Sequence, residues 1–439
     1  MALSGIQIYK LLPQTNCKEC GFPTCLAFAM KLAAKQVELA ACPYVSEESK
    51  AQLAESSAPP IRLITLKSDG YEVKAGNEVV MFRHEKTFYN KPGIFVKVRD
   101  DLSPDEIRAY LTPAESYAVN YVGISLTLDG FAVEAASQDS SKFAAAVSTV
   151  RSVTRRPLIL ISKDPAVISA GLKPLDGETP LIHCADSSNW ESMAEVAKQH
   201  KAALAVSAES LEELADLTEK IKGKGVEDLV LDPAKRDLNG ALVQSTLIRR
   251  LALKKNFRPL GYPIIAFPTN AASAAQAITK YAGFIVLDKF EKELVYPLLV
   301  LRQNIYTDPQ KPIQVQPGLY EINNPKPEDP VLVTTNFSIT YFSVANEVES
   351  SGLPAYLLVT DAEGMSVLTA WAAGKFDAER IAKSVKTFSV AEKVTRKRLV
   401  LPGAVAVLSG EVEGELPDWE VRVGPREAVD IPKFMKVAL

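Results

Sequence analysis

Four cysteines fall within the first forty-two residues, as Cys17-x2-Cys20-x4-Cys25-x16-Cys42-Pro43, and the rest of the 439-residue chain holds only one more, Cys184. Thiols crowded at one end constrain the fold more than any apolar pattern does, because they predict a small metal-bearing module. Iron-sulfur clusters are commonly held by four Cys thiolates, with a tight leading triplet, a distant fourth ligand and often a proline after it. Structural zinc is the alternative. Four-cysteine zinc sites usually show two paired knuckles, whereas only the first pair here has that spacing. A disulfide framework is the third option, and the cysteine-poor remainder argues for a reducing compartment instead.

Asn16, Lys18, Glu19, Gly21 and Pro23 break regular structure between the first three cysteines, which leaves backbone N–H groups free for cluster sulfurs. Gly21 permits the tight turn. After Thr24, an N-cap by residue type, the run from Leu26 to Ala34 reads as a helix. Continued unbroken, it would carry Cys42 about 25 Å from Cys25. One cluster cannot span that distance, so the chain is expected to turn back between Ala34 and Glu38, with Pro43 fixing the exit. Phe22, Leu26, Phe28 and Met30 are expected to form a small core that shields the cluster and tunes its potential.

Apolar content of 47% and charged content of 23% are ordinary for a globular protein, and the length suggests two to four domains. A net charge of −3 provides no basic footprint for nucleic acid. No apolar run approaches the roughly eighteen residues of a membrane span, and Met1 to Tyr9 lacks a signal-peptide pattern. The expectation is a cytoplasmic protein that binds neither nucleic acid nor membrane. Only three histidines exist, His84, His183 and His200, which excludes histidine-rich metal sites.

Tyr44 to Pro60 has almost no large apolar residue beyond Val45 and Leu53, a linker composition with room for a helical turn. Extended, it could reach on the order of 50 Å. Arg62 to Leu66, Tyr71 to Val73 and Glu78 to Phe82 alternate like a small antiparallel element. Apolar, β-branched runs then recur at Ile94 to Val98, Tyr121 to Leu126, Pro157 to Ile161, Pro180 to His183, Ala203 to Val206, Asp228 to Leu231, Pro263 to Phe267 and Phe284 to Leu287. Helical stretches such as Ser192 to Gln199 and Leu211 to Lys222 lie between most of them. Eight such strands fit a (β/α)8 TIM-type barrel; a doubly wound open sheet is the alternative. Asp164, Asp186, Asp232 and Asp288 follow strands and invite an active-site reading, although an Asp there is commonly an N-cap or turn residue. Cys184 reads as an inert buried side chain.

Ile313 to Pro330, with four prolines, marks a second boundary. Beyond it, strands are expected at Val331 to Thr334, Ala355 to Thr360, Met365 to Leu368 and Arg398 to Leu401, and helices over Thr340 to Ser350 and Asp377 to Thr387, which together make an open, Rossmann-like α/β unit. Ligands in such sheets sit at the carboxyl ends of strands. Thr335, Asn336, Ala372, Ala373, Gly374 and Gly403 all stand at such ends. The small residues after Trp371 would let backbone approach a flat or bulky ligand. The domains so read are 1–57, cluster module and linker; 58–93, connecting β element; 94–320, barrel; and 321–439, C-terminal α/β domain.

The cysteine spacing, the barrel-like middle and the strings TTNFS, TAWAAGKF, LPGAVAVLSG, VGPRE and IPKF near the end together closely resemble one family. It is the large (gamma) subunit of the corrinoid iron-sulfur protein of the reductive acetyl-CoA pathway. The resemblance covers essentially the whole chain, and its C-terminal strings are more specific than the cysteine spacing. It implies a 4Fe-4S cluster on Cys17, Cys20, Cys25 and Cys42. It also implies a cobalamin-type corrinoid in the C-terminal domain, near the interface with a small (delta) barrel subunit, with contacts at Thr340, Asn346, Ala370, Trp371, Ala372, Ala373 and Lys433. No histidine here stands in a D-x-H-x-x-G string, so the corrinoid would be base-off with no protein histidine beneath cobalt. Axial ligation is a lever on metal potential, and Co(I) then becomes reachable for a low-potential donor. The implied function is that of a methyl carrier in a methyltransferase system. Co(I) would accept a methyl group from methyltetrahydrofolate on a separate methyltransferase and deliver it to carbon monoxide dehydrogenase/acetyl-CoA synthase, while the cluster reactivates Co(II). The rival readings are a barrel that itself binds and methylates or demethylates a pterin, and an electron-transfer protein without corrinoid.

The linker composition generates a first prediction. Limited proteolysis under native conditions should cut first within residues 44 to 60; survival of that segment while other sites are cleaved would overturn the tethered reading.

Overall fold

The computed structural model describes residues 5–33, 36–50, 53, 59–121, 124–307 and 313–438. The chain divides into two compact units, Met1–Tyr117 with Thr127–Tyr306, and Ala118–Leu126 with Thr307–Leu439. The strands in chain order are β1 (Ile64–Ser68), β2 (Tyr71–Ala75), β3 (Gly93–Arg99), β4 (Ala118–Tyr121), β5 (Ile124–Thr127), β6 (Gly130–Glu134), β7 (Leu158–Ile161), β8 (Leu181–Ala185), β9 (Ala203–Ser207), β10 (Leu229–Asp232), β11 (Ile264–Ala266), β12 (Ala282–Leu287), β13 (Gly318–Ile322), β14 (Val331–Thr335), β15 (Ala355–Thr360), β16 (Arg398–Leu401) and β17 (Glu420–Val423).

In the first unit, β3 and β6 to β12 pair in parallel and in sequence order, and β12 closes on β3. This is the expected eight-stranded barrel, with one correction. The run Tyr121 to Leu126 supplies no barrel strand; its described residues fall in the two-stranded β4–β5 sheet, residues 122–123 lie outside the described ones, and β6 takes its place in the barrel. Burial explains the difference. β6 reads Gly-Phe-Ala-Val-Glu and buries its first four residues, whereas β4 buries none. Helix starts follow residue type: Ser103 and Glu106 form a capping box, and Asp139, Asp164, Ser210, Asp237 and Asn270 each accept a backbone N–H as N-caps.

The interior of the barrel is filled by Phe95, Ala132, Ile159, Leu181, Ala203, Val230, Ile265 and Phe284, and the β1–β2 hairpin adds Ile64, Leu66, Val73 and Ala75 to the same cluster. The hairpin lies at the amino ends of the strands, since a Cβ on Gly93 would meet Val73 and one on Gly283 would meet Ala75. It plugs that end and leaves the carboxyl ends of the strands without such a cover. The third alternating segment, Glu78 to Phe82, forms no strand.

In the second unit the order is β13-β15-β14-β16-β17, with β13 antiparallel at the edge and the remainder parallel. Helices Ser338–Ser351 and Ile431–Ala438 cover one face, and Val367–Ala372, Ala378–Thr387 and Ser409–Glu415 the other. Met365 to Leu368, expected as a strand, instead enters the helix Val367–Ala372, which buries Val367 and Ala370. An i, i+3 spacing suits a helix face and not a period-two strand.

Gly130 opens β6 where a methyl group would overlap the Pro157 carbonyl oxygen and the Phe95 ring. Backbone cannot yield there as a side chain tip could. Gly130→Ala should therefore lower stability by roughly 1–3 kcal/mol, read as a shift in the urea midpoint at unchanged slope.

Candidate metal and cofactor sites

Helices Gly5–Leu11 and Cys25–Ala33 pack together in the N-terminal module, and the first of them was not anticipated from the sequence. Thr24 caps the second, its hydroxyl accepting Ala27 N–H at 3.1 Å. All five cysteines are free; Cys25 and Cys42 are buried, Cys20 is half-buried and Cys17 is exposed. Cys20, Cys25 and Cys42 belong to one apolar cluster with Phe22 and Phe28. Leu26 and Met30, expected in this core, are exposed, because the helix buries Cys25, Phe28 and Ala29 on its other face. The chain does return Cys42 to Cys25. Ala34 and Lys35, at the expected start of that turn, lie outside the described residues.

The loop before the helix has positive φ at Gln14, Asn16, Lys18 and Gly21, a backbone that can turn successive N–H groups toward an anionic centre. Asn16 Oδ1 accepts Cys25 N–H at 2.8 Å. Tyr44 donates its hydroxyl to Glu19 at 2.8 Å, which ties the first cysteine pair to the segment after Cys42. The bond to Glu19 and the charge of that carboxylate raise the Tyr44 pKa, and Cys17 and Cys42 add in the same direction; both thiols therefore lie near one phenol. Among the described residues, no three His, Cys, Asp or Glu side chains stand close enough to chelate an ion. The structure gathers Cys20, Cys25 and Cys42 in one cluster without converging their thiols, and Cys17 lies three residues before Cys20. Soft thiols in apolar surroundings are a donor set that fits an iron-sulfur cluster.

At the C-terminal unit, the connection from β14 leads to one face of the sheet and that from its neighbour β16 to the other, which makes a switch point of the kind where open α/β sheets bind ligands. Large apolar side chains are exposed in the segments after these strands: Ile339 (65%) after β14, Leu368 (54%) and Trp371 (41%) after β15, and Val407 (64%) after β16. Apolar surface so grouped suits a bulky ligand or partner. Asn336, by contrast, is buried and binds protein. Its Oδ1 accepts Ala362 N–H (2.9 Å) and Gly364 N–H (3.0 Å), and its Nδ2 donates to Gln314 and Asp361. It locks the loop after β15 onto the end of β14. At Gly403 a Cβ would strike the Gly424 carbonyl and Pro425, so close packing there requires glycine.

A family profile described as CO dehydrogenase/acetyl-CoA synthase delta subunit matches residues 63–435, and one described as an Fe-S cluster matches residues 12–44. Over 100% of both chains, this protein is 45% identical to the corrinoid/iron-sulfur protein large subunit of Moorella thermoacetica. The chain belongs to the corrinoid/iron-sulfur protein large-subunit family. It is also 36% identical to the acetyl-CoA decarbonylase/synthase complex subunit gamma of Methanopyrus kandleri, over 99% of this chain and 97% of that protein. The corresponding subunit of Archaeoglobus fulgidus is 34% identical, over 99% and 98%.

The structure sorts the corrinoid positions that the large-subunit family implies into two groups. Ala370, Trp371, Ala372 and Ala373, followed by Gly374 from the reading of small residues, form one end of the helix Val367–Ala372 and its turn, which packs against the segment Gly403–Leu408. Ala372, Ala373 and Gly374 are exposed, and nothing lies within 4 Å of a Cβ on Gly374. Thr340 and Lys433 lie on two helices that pack together on the opposite face. Asn346 lies on the same helix as Thr340. It is six residues beyond Thr340, about 9 Å along the helix and roughly a third of a turn away in direction.

In this large-subunit chain the barrel mouth carries a further polar cluster, which sequence reading touched only through its separate members. Asp232, wholly buried at the end of β10, accepts from both Arg236 Nη atoms at 2.8 Å, meets His183 Nε2 at 2.8 Å and accepts Ala234 N–H at 3.0 Å. Phe267 packs tilted against His183 (4.7 Å between centroids) and lies under the Arg236 guanidinium (5.0 Å). A cavity of about 450 Å³, lined by Arg99, Glu134, Gln138, Lys163, His183 and Cys184 among others, opens beside it. The other aspartates have local roles: Asp164 caps a helix, Asp186 binds Ser188 and Lys163, and Asp288 pairs with Lys97. Cys184 is buried, as expected.

Burial alone would lower the His183 pKa, but its bond to Asp232, with Cys184 and the Asp232 charge adding, pushes it up to about 9. Burial alone would raise the Asp232 pKa, yet His183 and Arg236 hold it well below the carboxylate range. A folded pKa above the unfolded value of about 6.5 means that the His183 contribution is complete below that pH and is lost as pH rises through about 9. Unfolding free energy should fall over that interval, and the His183→Gln chain should lack this part of the slope in urea titrations at stepped pH.

Proposed function

We propose that this chain is a corrinoid- and 4Fe-4S-bearing methyl carrier, the larger subunit of a heterodimer with a small barrel subunit, serving an acetyl-CoA-forming complex. The observation that carries the proposal is the full-length correspondence with a corrinoid/iron-sulfur protein large subunit. When bound, the corrinoid supplies a cobalt centre that takes up and hands on a methyl group, and the cluster supplies single electrons that return oxidised cobalt to its reactive state. Everything else falls to the chain's own residues.

Cys17, Cys20, Cys25 and Cys42 would hold the cluster, with Phe22 and Phe28 keeping water from it. At the C-terminal unit, Ile339, Leu368, Trp371 and Val407 would cover the apolar faces of the macrocycle. The small residues from Ala372 to Gly374 admit close backbone approach, and Thr340 and Lys433 offer polar contacts at its rim. All three histidines lie in the first unit, so the C-terminal unit has no imidazole to place beneath cobalt. A base-off cofactor without that donor keeps low oxidation states accessible.

The methyl donor would be a separate methyltetrahydrofolate methyltransferase, and the acceptor carbon monoxide dehydrogenase/acetyl-CoA synthase. Among the described residues no helix is long and apolar enough to cross a membrane; we place the carrier in the cytoplasm as part of the same reading. We assign residues 1–57 to cluster binding and residues 321–439 to corrinoid binding, with the barrel as the scaffold between them in the chain.

Cys20→Ala separates the two roles. The anaerobically prepared variant should lose reductive reactivation by a low-potential donor and the electron paramagnetic signal of the reduced cluster, while methyl uptake by chemically pre-reduced protein stays largely unchanged. Equal loss of both activities would refute the division of labour.

A further inference from the structure

The barrel is apolar inside and charged at its carboxyl mouth. Phe95, Ala132, Leu181, Val230 and Val286 line the interior, and strand alternation brings the residue two further on to the same side. Those residues are Lys97, Glu134, His183, Asp232 and Asp288. Lys97 pairs with Glu134 (3.2 Å) and Asp288 (2.8 Å), and His183 with Asp232 (2.8 Å). Taking Lys97, His183 and Asp232 out of water costs free energy that an apolar layer would not. Charges held at the carboxyl ends of barrel strands, where ligands of this fold class sit, mark a candidate binding site.

The cavity of about 450 Å³ at this mouth takes its lining from the ends of β3, β6, β7 and β8, four neighbouring strands, and from the loops after them. Its charged lining is Arg99, Glu134, Lys163 and His183, three cations against one carboxylate. The carboxylates that pair with the cations stand outside the lining. Arg99 binds Asp101 through Nε (3.1 Å) and Nη2 (2.6 Å), which leaves Nη1 to donate. Lys163 gives one of its three ammonium hydrogens to Asp186 at 2.8 Å. Burial alone would discharge His183, but its bonds to Asp232 and the Cys184 thiol keep it protonated up to about pH 9. Ser162, only 5% exposed, also lines the cavity; its Oγ accepts Asp164 N–H at 3.1 Å and keeps its own hydrogen to donate.

The geometry points to an anion site in this cavity, one that takes a phosphate group, free or carried by a small molecule, with Arg99, Lys163 and the Ser162 hydroxyl donating to its oxygens. The surplus of two positive charges in the lining suits a dianion better than a single carboxylate. Guanidinium and ammonium donors are those that phosphate oxygens favour. Arg99 and Lys163 are 57% and 74% exposed, and ion pairs made by such side chains are worth little, so both can turn to an anion at small cost. His183 adds charge at the floor, and Asp232 is the positioning residue that holds it there. The site gives the barrel a ligand of its own and does not depend on the corrinoid reading.

The test is isothermal titration calorimetry of the full-length chain with inorganic phosphate and with methyl phosphate at fixed ionic strength. Phosphate should give a saturable isotherm, weakened roughly tenfold in Lys163→Ala and in Arg99→Ala. Lys163→Arg, which keeps the charge and the donors, should bind within about threefold of the wild-type chain. Both side chains are largely exposed, so the alanine variants should unfold within about 2 °C of wild type. Methyl phosphate bound as tightly as phosphate assigns the site to a phosphate ester, and binding of inorganic phosphate alone assigns it to the free anion. Absence of saturable binding by either probe overturns the inference. Unchanged affinity in both alanine variants overturns it as well, because the anion would then sit elsewhere, the corrinoid site included. Neither result touches the methyl-carrier reading, whose own test follows cluster reduction and methyl uptake.

Discussion

Parallel strand pairing is the constraint on which the rest depends. Parallel neighbours cannot be joined by a tight turn, so each connection must carry the chain back to the amino edge, usually through a helix. All carboxyl ends then gather on one edge. In the first unit this rule produces a barrel whose amino end is plugged by β1 and β2, leaving the carboxyl mouth to the Asp232–His183–Arg236 cluster. In the second it collects the loops after β14, β15 and β16 on one side of the sheet, where small, apolar and polar residues from distant parts of the sequence meet.

Buried polar groups are satisfied to different degrees across the fold. Barrel charges are compensated: Asp232 has its two ionic partners and a backbone N–H, and Arg302 donates to the Pro92 and Thr127 carbonyls as well as pairing with Asp129. Such networks rigidify a scaffold when every member is satisfied. Elsewhere single buried atoms lack a hydrogen-bond partner in both units, Glu78 Oε2, Arg151 Nε and Gln244 Oε1 in the first and Thr334 Oγ1 and Thr335 Oγ1 in the second.

Much of the architecture is legible in local pattern. Seven of the eight expected barrel runs overlap barrel strands, because buried parallel strands carry continuous β-branched segments; the run Tyr121 to Leu126 fails because apolar content alone cannot say which of two nearby segments closes a barrel. Met365 to Leu368 fails because four apolar-rich residues do not distinguish period two from period 3.6. At the sites, residue type marked Asn336, but only the structure shows that its side chain is spent on holding the loop after β15 to the end of β14.

The cysteine set with its spacing, the absence of histidine beyond residue 200, and the period of the strands and helices were determined by the sequence alone, because each depends on residue identity or on neighbours close along the chain. Only the tertiary structure decided that His183, Asp232 and Arg236 form one buried cluster, that Leu26 and Met30 face outward, and that two hydroxyls end a central strand with nothing to bind. Those outcomes depend on which distant segments pack together, and packing is settled by the exclusion of water across the whole fold and not by any local preference.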